Sequence, residues 1–134
     1  MTKNKDKKQL FADAWSQYAP ADIALQGEYH FAAMTCGGTG PGVRARLAIA
    51  FLKDWRFDFI VPGTKIAIEI DGGNRMVRRT ASGRHVAVGA HTQDDDYWKL
   101  NHAARFGWRV FRFSVSMVKK YPKECVRVVL KAVA

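Results

Sequence analysis

Apolar residues near the start of the chain recur at helical spacing. Leu10, Phe11, Ala14, Trp15 and Tyr18 fall on one side of QLFADAWSQYA, residues 9–19, which predicts an amphipathic helix. Pro20 ends it, because proline lacks an amide hydrogen and its ring clashes with the preceding turn. Residues 1–8 read as a basic, frayed tail. Near Glu28–Ala32, Tyr29 and Phe31 alternate with polar neighbours, predicting a short strand. CGGTGPG at 36–42 gathers four glycines and a proline and is read as a flexible loop. VRARLAIAFLKD at 43–54 fits either a strand entering a loop or a short helix.

The middle of the chain carries the clearest pattern. WRFDFIV (55–61) alternates, Pro62-Gly63 supplies a turn, and TKIAIEI (64–70) alternates again, the signature of a β-hairpin. Residues 72–91, rich in glycine, arginine and small side chains, are expected to form a long loop. Thr92-Gln93-Asp94-Asp95 opens a helix as a capping-box variant. That helix runs to about Phe106, where Gly107 stops it. WRVFRFS (108–114) is a further strand. Two short helical segments follow, the last beginning at Pro122. The order predicts an α/β fold, a mixed four-stranded sheet with flanking helices, in one domain over 9–134.

Pairing Val61 with Thr64 sets Asp58 opposite Ala67 and Arg56 opposite Glu69. Asp58 and Glu69 are then diagonal neighbours, roughly 7–8 Å apart, and can converge on one cation. Lys65 and Asp71 share that face. The opposite face holds Trp55, Phe57, Phe59, Val61, Ile66, Ile68 and Ile70 as core.

Charge sharpens this picture. Lys and Arg number 22 against 12 Asp and Glu, a formal net charge of +10. Such an excess attracts polyanions, because each bound phosphate releases condensed counterions. Yet half of the acids fall at Asp58, Glu69, Asp71 and Asp94 to Asp96. A basic chain that gathers its acids in one place suits a hard divalent cation such as Mg²⁺. The competing reading is a solvated carboxylate pair balanced by Arg56 and Lys65. Cys36 and Cys125 lack zinc-site spacing and fit buried thiols in a reducing compartment. The glycine-rich loop lacks the Lys-Ser/Thr of a phosphate-binding loop. No apolar run reaches the roughly 20 residues of a membrane helix, and no apolar segment follows the basic N-terminus. A cytoplasmic protein, from a bacterial host or a phage, is therefore expected.

WRFDF…KIAIEIDGG, then GRH, then DYWKLNHAARFGWRVFRFS, spanning about residues 55–114, resembles the PD-(D/E)XK nuclease superfamily. The likeness is to its small phage-type and very-short-patch-repair-like members. The resemblance implies a restriction-endonuclease-like αβββαβ core. It implies that Asp58 is the motif's first acid and Glu69 its second. Asp71 stands where the general motif has Lys, a departure shared by several small members in which Gly also follows, as Gly72 does here. Lys99, on the next helix and sharing a face with Asp96, is the candidate substitute for that lysine. His85 is a candidate for proton transfer or phosphate contact; an exposed loop histidine is the alternative. Glu28 is the candidate upstream acid of the metal site, beside Asp58, Glu69 and the Ile70 carbonyl. Arg75, Arg78, Arg79 and Arg84 suit phosphate gripping, with Lys65, Arg44, Arg46 and the N-terminal lysines extending the track. Trp98, Trp108 and Phe113 are read as core.

The expectation is a Mg²⁺-dependent DNA endonuclease, with Mn²⁺ as a substitute ion. Branched-junction, nicked and mismatched DNA are all substrates of this scaffold, and junction resolution would want a homodimer presenting two sites. Two rivals stand beside it: a non-catalytic DNA-binding module on the same fold, and a basic subunit of a larger phage assembly.

Overall fold

The structure, a computed structural model, describes residues 6–72, 76–79, 85–88 and 93–134; for 76–79, 85–88 and 93 it describes the backbone alone. In chain order the elements are α1 (Lys7–Tyr18), β1 (Gln26–Tyr29), α2 (Phe31–Met34), α3 (Val43–Ile49), β2 (Phe57–Val61), β3 (Ile66–Asp71), β4 (Met76–Arg79), β5 (His85–Val88), α4 (Gln93–Arg105), β6 (Arg109–Ser114), α5 (Val115–Lys120) and α6 (Pro122–Val133). The main sheet has the order β1-β2-β3-β6. Its first two pairings are antiparallel and the β3–β6 pairing is parallel. Parallel neighbours need a crossover, and the segment between β3 and β6 contains α4.

The fold class is as the periodicity predicts, with local corrections. The stretch 43–54 is helical over α3. The first strand begins two residues early, at Gln26, and Phe31 already opens a helical turn. The expected long loop at 72–91 contains β4 and β5, which pair antiparallel from Met76↔Val88 to Arg79↔His85. MVRR and HVAV carry three valines between them, which favour strand, but the surrounding Gly and Arg content conceals this. The last helix is not short: α6 has 12 residues.

The β2–β3 register also differs. The Val61 carbonyl accepts from the Thr64 amide at 3.2 Å and from the Thr64 hydroxyl at 2.7 Å. That hydroxyl oxygen in turn accepts the Ile66 amide at 3.1 Å. Gly63, at φ 79°, takes the left-handed turn position that glycine fills without strain. Thr64 therefore belongs to the turn, and pairing starts at Val61↔Ile66 and continues to Phe59↔Ile68.

Both sheet faces are buried. One covers Phe59, Val61, Ile66, Ile68 and Ile70 with α1, α5 and α6, through Phe11, Trp15, Val118, Cys125, Val126 and Val129. The other covers Ile60 and Ala67 with Phe31 and with Ala103 of α4. Phe57 and Trp55 pack on this second side, not with Phe59 as strict alternation predicts. Phe57 stacks on Phe31 with ring centroids 4.0 Å apart. The alternation breaks at Asp58, level with Glu28 across the β1–β2 register, and Glu28 itself has a left-handed backbone at φ 45°.

Candidate active site

Glu69 and Asp71 follow Ala67 on the second face of β3 by the period of two. One step beyond Phe59↔Ile68, the β2–β3 register sets Asp58 directly across from Glu69. The two residues are thus level rather than diagonal, because the turn is longer than Pro-Gly alone, and their charges are met from different sides: Asp58 by Lys8 of α1, on the first face, and Glu69 by Lys99 of α4, on the second. Asp58 does not reach freely across. Its Oδ2 accepts the Ile70 amide at 2.8 Å, which fixes the carboxylate beside the strand edge.

Each acid has a cation. Lys8 of α1 holds its Nζ 3.8 Å from Asp58 Oδ1. Lys99 of α4 donates to Glu69 Oε1. Arg112 of β6 donates from Nη2 to both Asp71 oxygens, at 3.0 and 3.1 Å. The hydrogen bond that Arg112 donates to Asp71 raises the Arg112 pKa above its ordinary value; burial opposes this, and the charges of Asp71, Glu69 and Asp96 add to the rise. Asp58 and Glu69 side chains are only 19% and 13% exposed, so their pairing with lysine relieves charge held largely out of water.

Helix α4 carries Lys99 to the sheet, and its placement has identifiable causes. His102, buried on α4, meets Thr35 Oγ1 at 3.1 Å. The Thr35 hydroxyl donates to the Ala32 carbonyl at 2.7 Å, so its oxygen accepts and His102 Nε2 carries the proton. Burial first, and the Arg105 charge second, lower the His102 pKa. Near the helix start, Lys53 Nζ pairs with Asp95 at 2.7 Å.

Glu28 lies apart from Glu69. It accepts from Arg56 at 2.7 Å, and Arg56 also donates to Asp54 at 3.0 Å. Asp54 meets His30 Nδ1 at 3.0 Å. The Arg56 hydrogen bond, followed by the Lys8 charge, holds the Glu28 carboxyl below its ordinary pKa. Glu28 and Asp58 therefore share the field of Lys8.

The other candidates divide. Lys65 sits at the far end of β3, its ammonium 4.7 Å above the Trp108 ring. Arg44 is exposed on α3. Arg46 is committed elsewhere: its guanidinium donates to the carbonyls of Cys36, Pro41 (2.7 Å) and Gly38 (2.9 Å). The glycine-rich loop wraps this arginine. A Cβ on Gly37 or Gly42 would come within 3.3 or 3.1 Å of the guanidinium, and both have positive φ. Arg75 and Arg84 lie outside the described residues. Arg78, Arg79 and His85 are placed by backbone only, on β4 and β5. Phe113 is core and Trp108 packs against the second cluster, but Trp98 is 65% exposed. It lies on the solvent side of α4, which corrects its reading as core.

Arg112 was not singled out by sequence, and Lys8 only as one of the N-terminal lysines. Arg112 pairs with Glu69 in the parallel β3–β6 register, a placement that the hairpin pattern alone does not contain. Lys8 depends on α1 packing across the end of β2.

Asp58, Glu69 and the Ile70 carbonyl offer an all-oxygen donor set of the kind that hard divalent cations take. The Ile70 amide points toward β2, and in a strand the carbonyl of the same residue projects to the same side. Among the described residues, no three His, Cys, Asp or Glu side chains converge as a metal cage. None of the described helices is long and apolar enough to cross a membrane. No protein-family model, curated protein or solved structure matches the chain.

Proposed function

We propose that this chain is a metal-dependent endodeoxyribonuclease that hydrolyses DNA phosphodiester bonds. The observation that carries the reading is the level placement of Asp58 and Glu69 on the adjacent strands β2 and β3, each beside a lysine, in a chain of net charge +10. With α2, α3 and the β4–β5 pair set aside as insertions, the order α1, β1, β2, β3, α4, β6 supports reading the core as the αβββαβ arrangement of the PD-(D/E)XK nucleases.

Asp58, Glu69 and the Ile70 carbonyl would hold Mg²⁺, or Mn²⁺ in its place. Such an ion would polarise the phosphoryl group and make a nucleophile available at neutral pH. The chain's own residues do the rest. The Ile70 amide keeps Asp58 in one orientation, so little reorganisation accompanies the reaction. Lys99, able to exchange its hydrogen bond to Glu69 for one to phosphate, meets charge developing on the phosphoryl oxygens. Arg112 holds Asp71 back from the scissile group while adding positive field. Lys8 supplies countercharge at Asp58 and Glu28. Arg75, Arg78, Arg79 and Arg84 grip the backbone on either side, and His85 assists proton transfer. DNA is the partner, in the cytoplasm, with a homodimer if the substrate is a junction.

One observation favours a second reading, a non-catalytic DNA-binding module. Asp58 and Glu69 already each have a lysine that satisfies their charge without an ion. Incubation with plasmid, nicked, mismatched and four-way-junction DNA in Mg²⁺, Mn²⁺ or EDTA separates the two. The nuclease reading expects cutting in either metal and none in EDTA. Binding without cutting on every substrate, or cutting in EDTA, would overturn it.

A further inference from the structure

Helix α6 turns Cys125, Val126 and Val129 into the core and leaves Lys123, Arg127 and Lys131 exposed. Their spacing of four residues puts them on one ridge, about 12 Å long at 1.5 Å per residue. Among the described residues none of the three forms an ion pair. Lys119 and Lys120, in the last turn of α5, bring further positive charge to its start, with the half-exposed Tyr121 between.

The fold gives no reason for this ridge. Like charges four residues apart destabilise a helix. A cation in the first turn, as at Lys123, opposes the helix dipole; only Lys131, in the last turn, is favoured by it. Lys123 is therefore unfavourable for the helix that carries it, whereas Arg127 has Glu124 three residues before it. A basic amphipathic helix commonly lies on a membrane, but this one has its apolar face buried against the sheet. What remains outward is charge spaced for a polyanion.

Its position is equally specific. The ridge faces away from the sheet on the α6 side, whereas Glu69 and Lys99 lie on the α4 side. The whole sheet and the thickness of α6 stand between them. A straight duplex lying on one side of the molecule cannot touch both.

We propose that the outward face of α6 is a second nucleic-acid backbone surface, occupied by a different segment of DNA from the one at Asp58 and Glu69. It rests on the nuclease reading for the identity of its partner, and it narrows the substrate to DNA that offers two segments, such as a branched or sharply bent molecule.

The test uses the full chain in EDTA, so that binding is read without cutting. The variant is Lys123→Gln, Arg127→Gln, Lys131→Gln. On a four-way junction the slope of log affinity against log salt should become shallower by roughly 2–3, since each phosphate that a side chain neutralises adds about 0.9 to it. With a 12-base-pair duplex in excess, wild type should bind two per chain and the variant one. The single Arg127→Gln variant should show about a third of the slope change, and thermal melting should show the variants folded. An unchanged slope, or a variant that still binds two duplexes, overturns the proposal. So does a variant that loses binding only to phosphatidylserine vesicles, which would assign the ridge to lipid. A chain that never cuts DNA yet shows the slope change would remove the nuclease reading and leave this surface standing.

Discussion

Replacing Lys99 with methionine retains most of the side-chain stem and removes the positive charge that pairs with Glu69. Exposed ion pairs contribute about 0.2–1 kcal/mol, while breaking a fully buried pair costs about 3–5 kcal/mol. The Lys99 and Glu69 side chains are 21% and 13% exposed, between those limits, and Arg112 lies within electrostatic reach of Glu69. The expected loss for Lys99→Met is therefore about 1.5–3 kcal/mol. Glu69→Gln, Lys99→Met leaves a neutral amide in place of an unpaired carboxylate and should recover about 1 kcal/mol or more of that loss. Urea unfolding at neutral pH reads both quantities, provided the m-values agree across the cycle. A coupling energy within about 0.3 kcal/mol of zero, the additivity expected of independent sites, would refute the claim that this pair is held out of water.

Phe51 is 95% exposed and has φ 57°, in the position after α3 where glycine is favoured. Phe51→Gly should raise stability by about 1 kcal/mol by removing the left-handed strain, a gain of roughly 3–5 °C in melting temperature for a domain of this size; a lower melting temperature would show that the side chain packs on something. The lowered His102 pKa makes the folded chain bind fewer protons than the unfolded one near and below the ordinary histidine value. This contribution is fully present above about pH 6.5 and is lost as pH falls through and below it. His102→Gln should be less stable than wild type at pH 7.5, and the gap should narrow toward pH 5.5 in thermal melts. A gap that widens on acidification would contradict the neutral, buried assignment.

Much of this molecule could be read without coordinates. The β2–β3 hairpin, α4 and β6 carry strong periodicity and ordinary stop signals, so their existence followed from local chemistry. Asp58 and Glu69 come level on adjacent strands after a register change of two, but the alternation breaks at Asp58, so the direction of its carboxylate was set by the Ile70 amide and not by side-chain parity. What failed was decided by tertiary contacts or by single hydrogen bonds. Thr64 joined the turn through its hydroxyl and moved the register. Phe57 left the face of Phe59 because Phe31 offered a stacking partner on the other side. Lys8 and Arg112 reach the acids only after α1 docks and β6 pairs in parallel with β3. Arg46 reads as one more surface cation in the sequence, whereas three loop carbonyls surround it in the fold.

The most direct test of the proposed chemistry compares wild type with Glu69→Ala on four-way-junction and nicked DNA in Mg²⁺, with melting curves showing both folded. The account predicts metal-dependent cutting by wild type, abolished in Glu69→Ala, with DNA binding in EDTA retained. Equal cutting by the two chains would contradict it, and so would the absence of cutting by wild type in both Mg²⁺ and Mn²⁺.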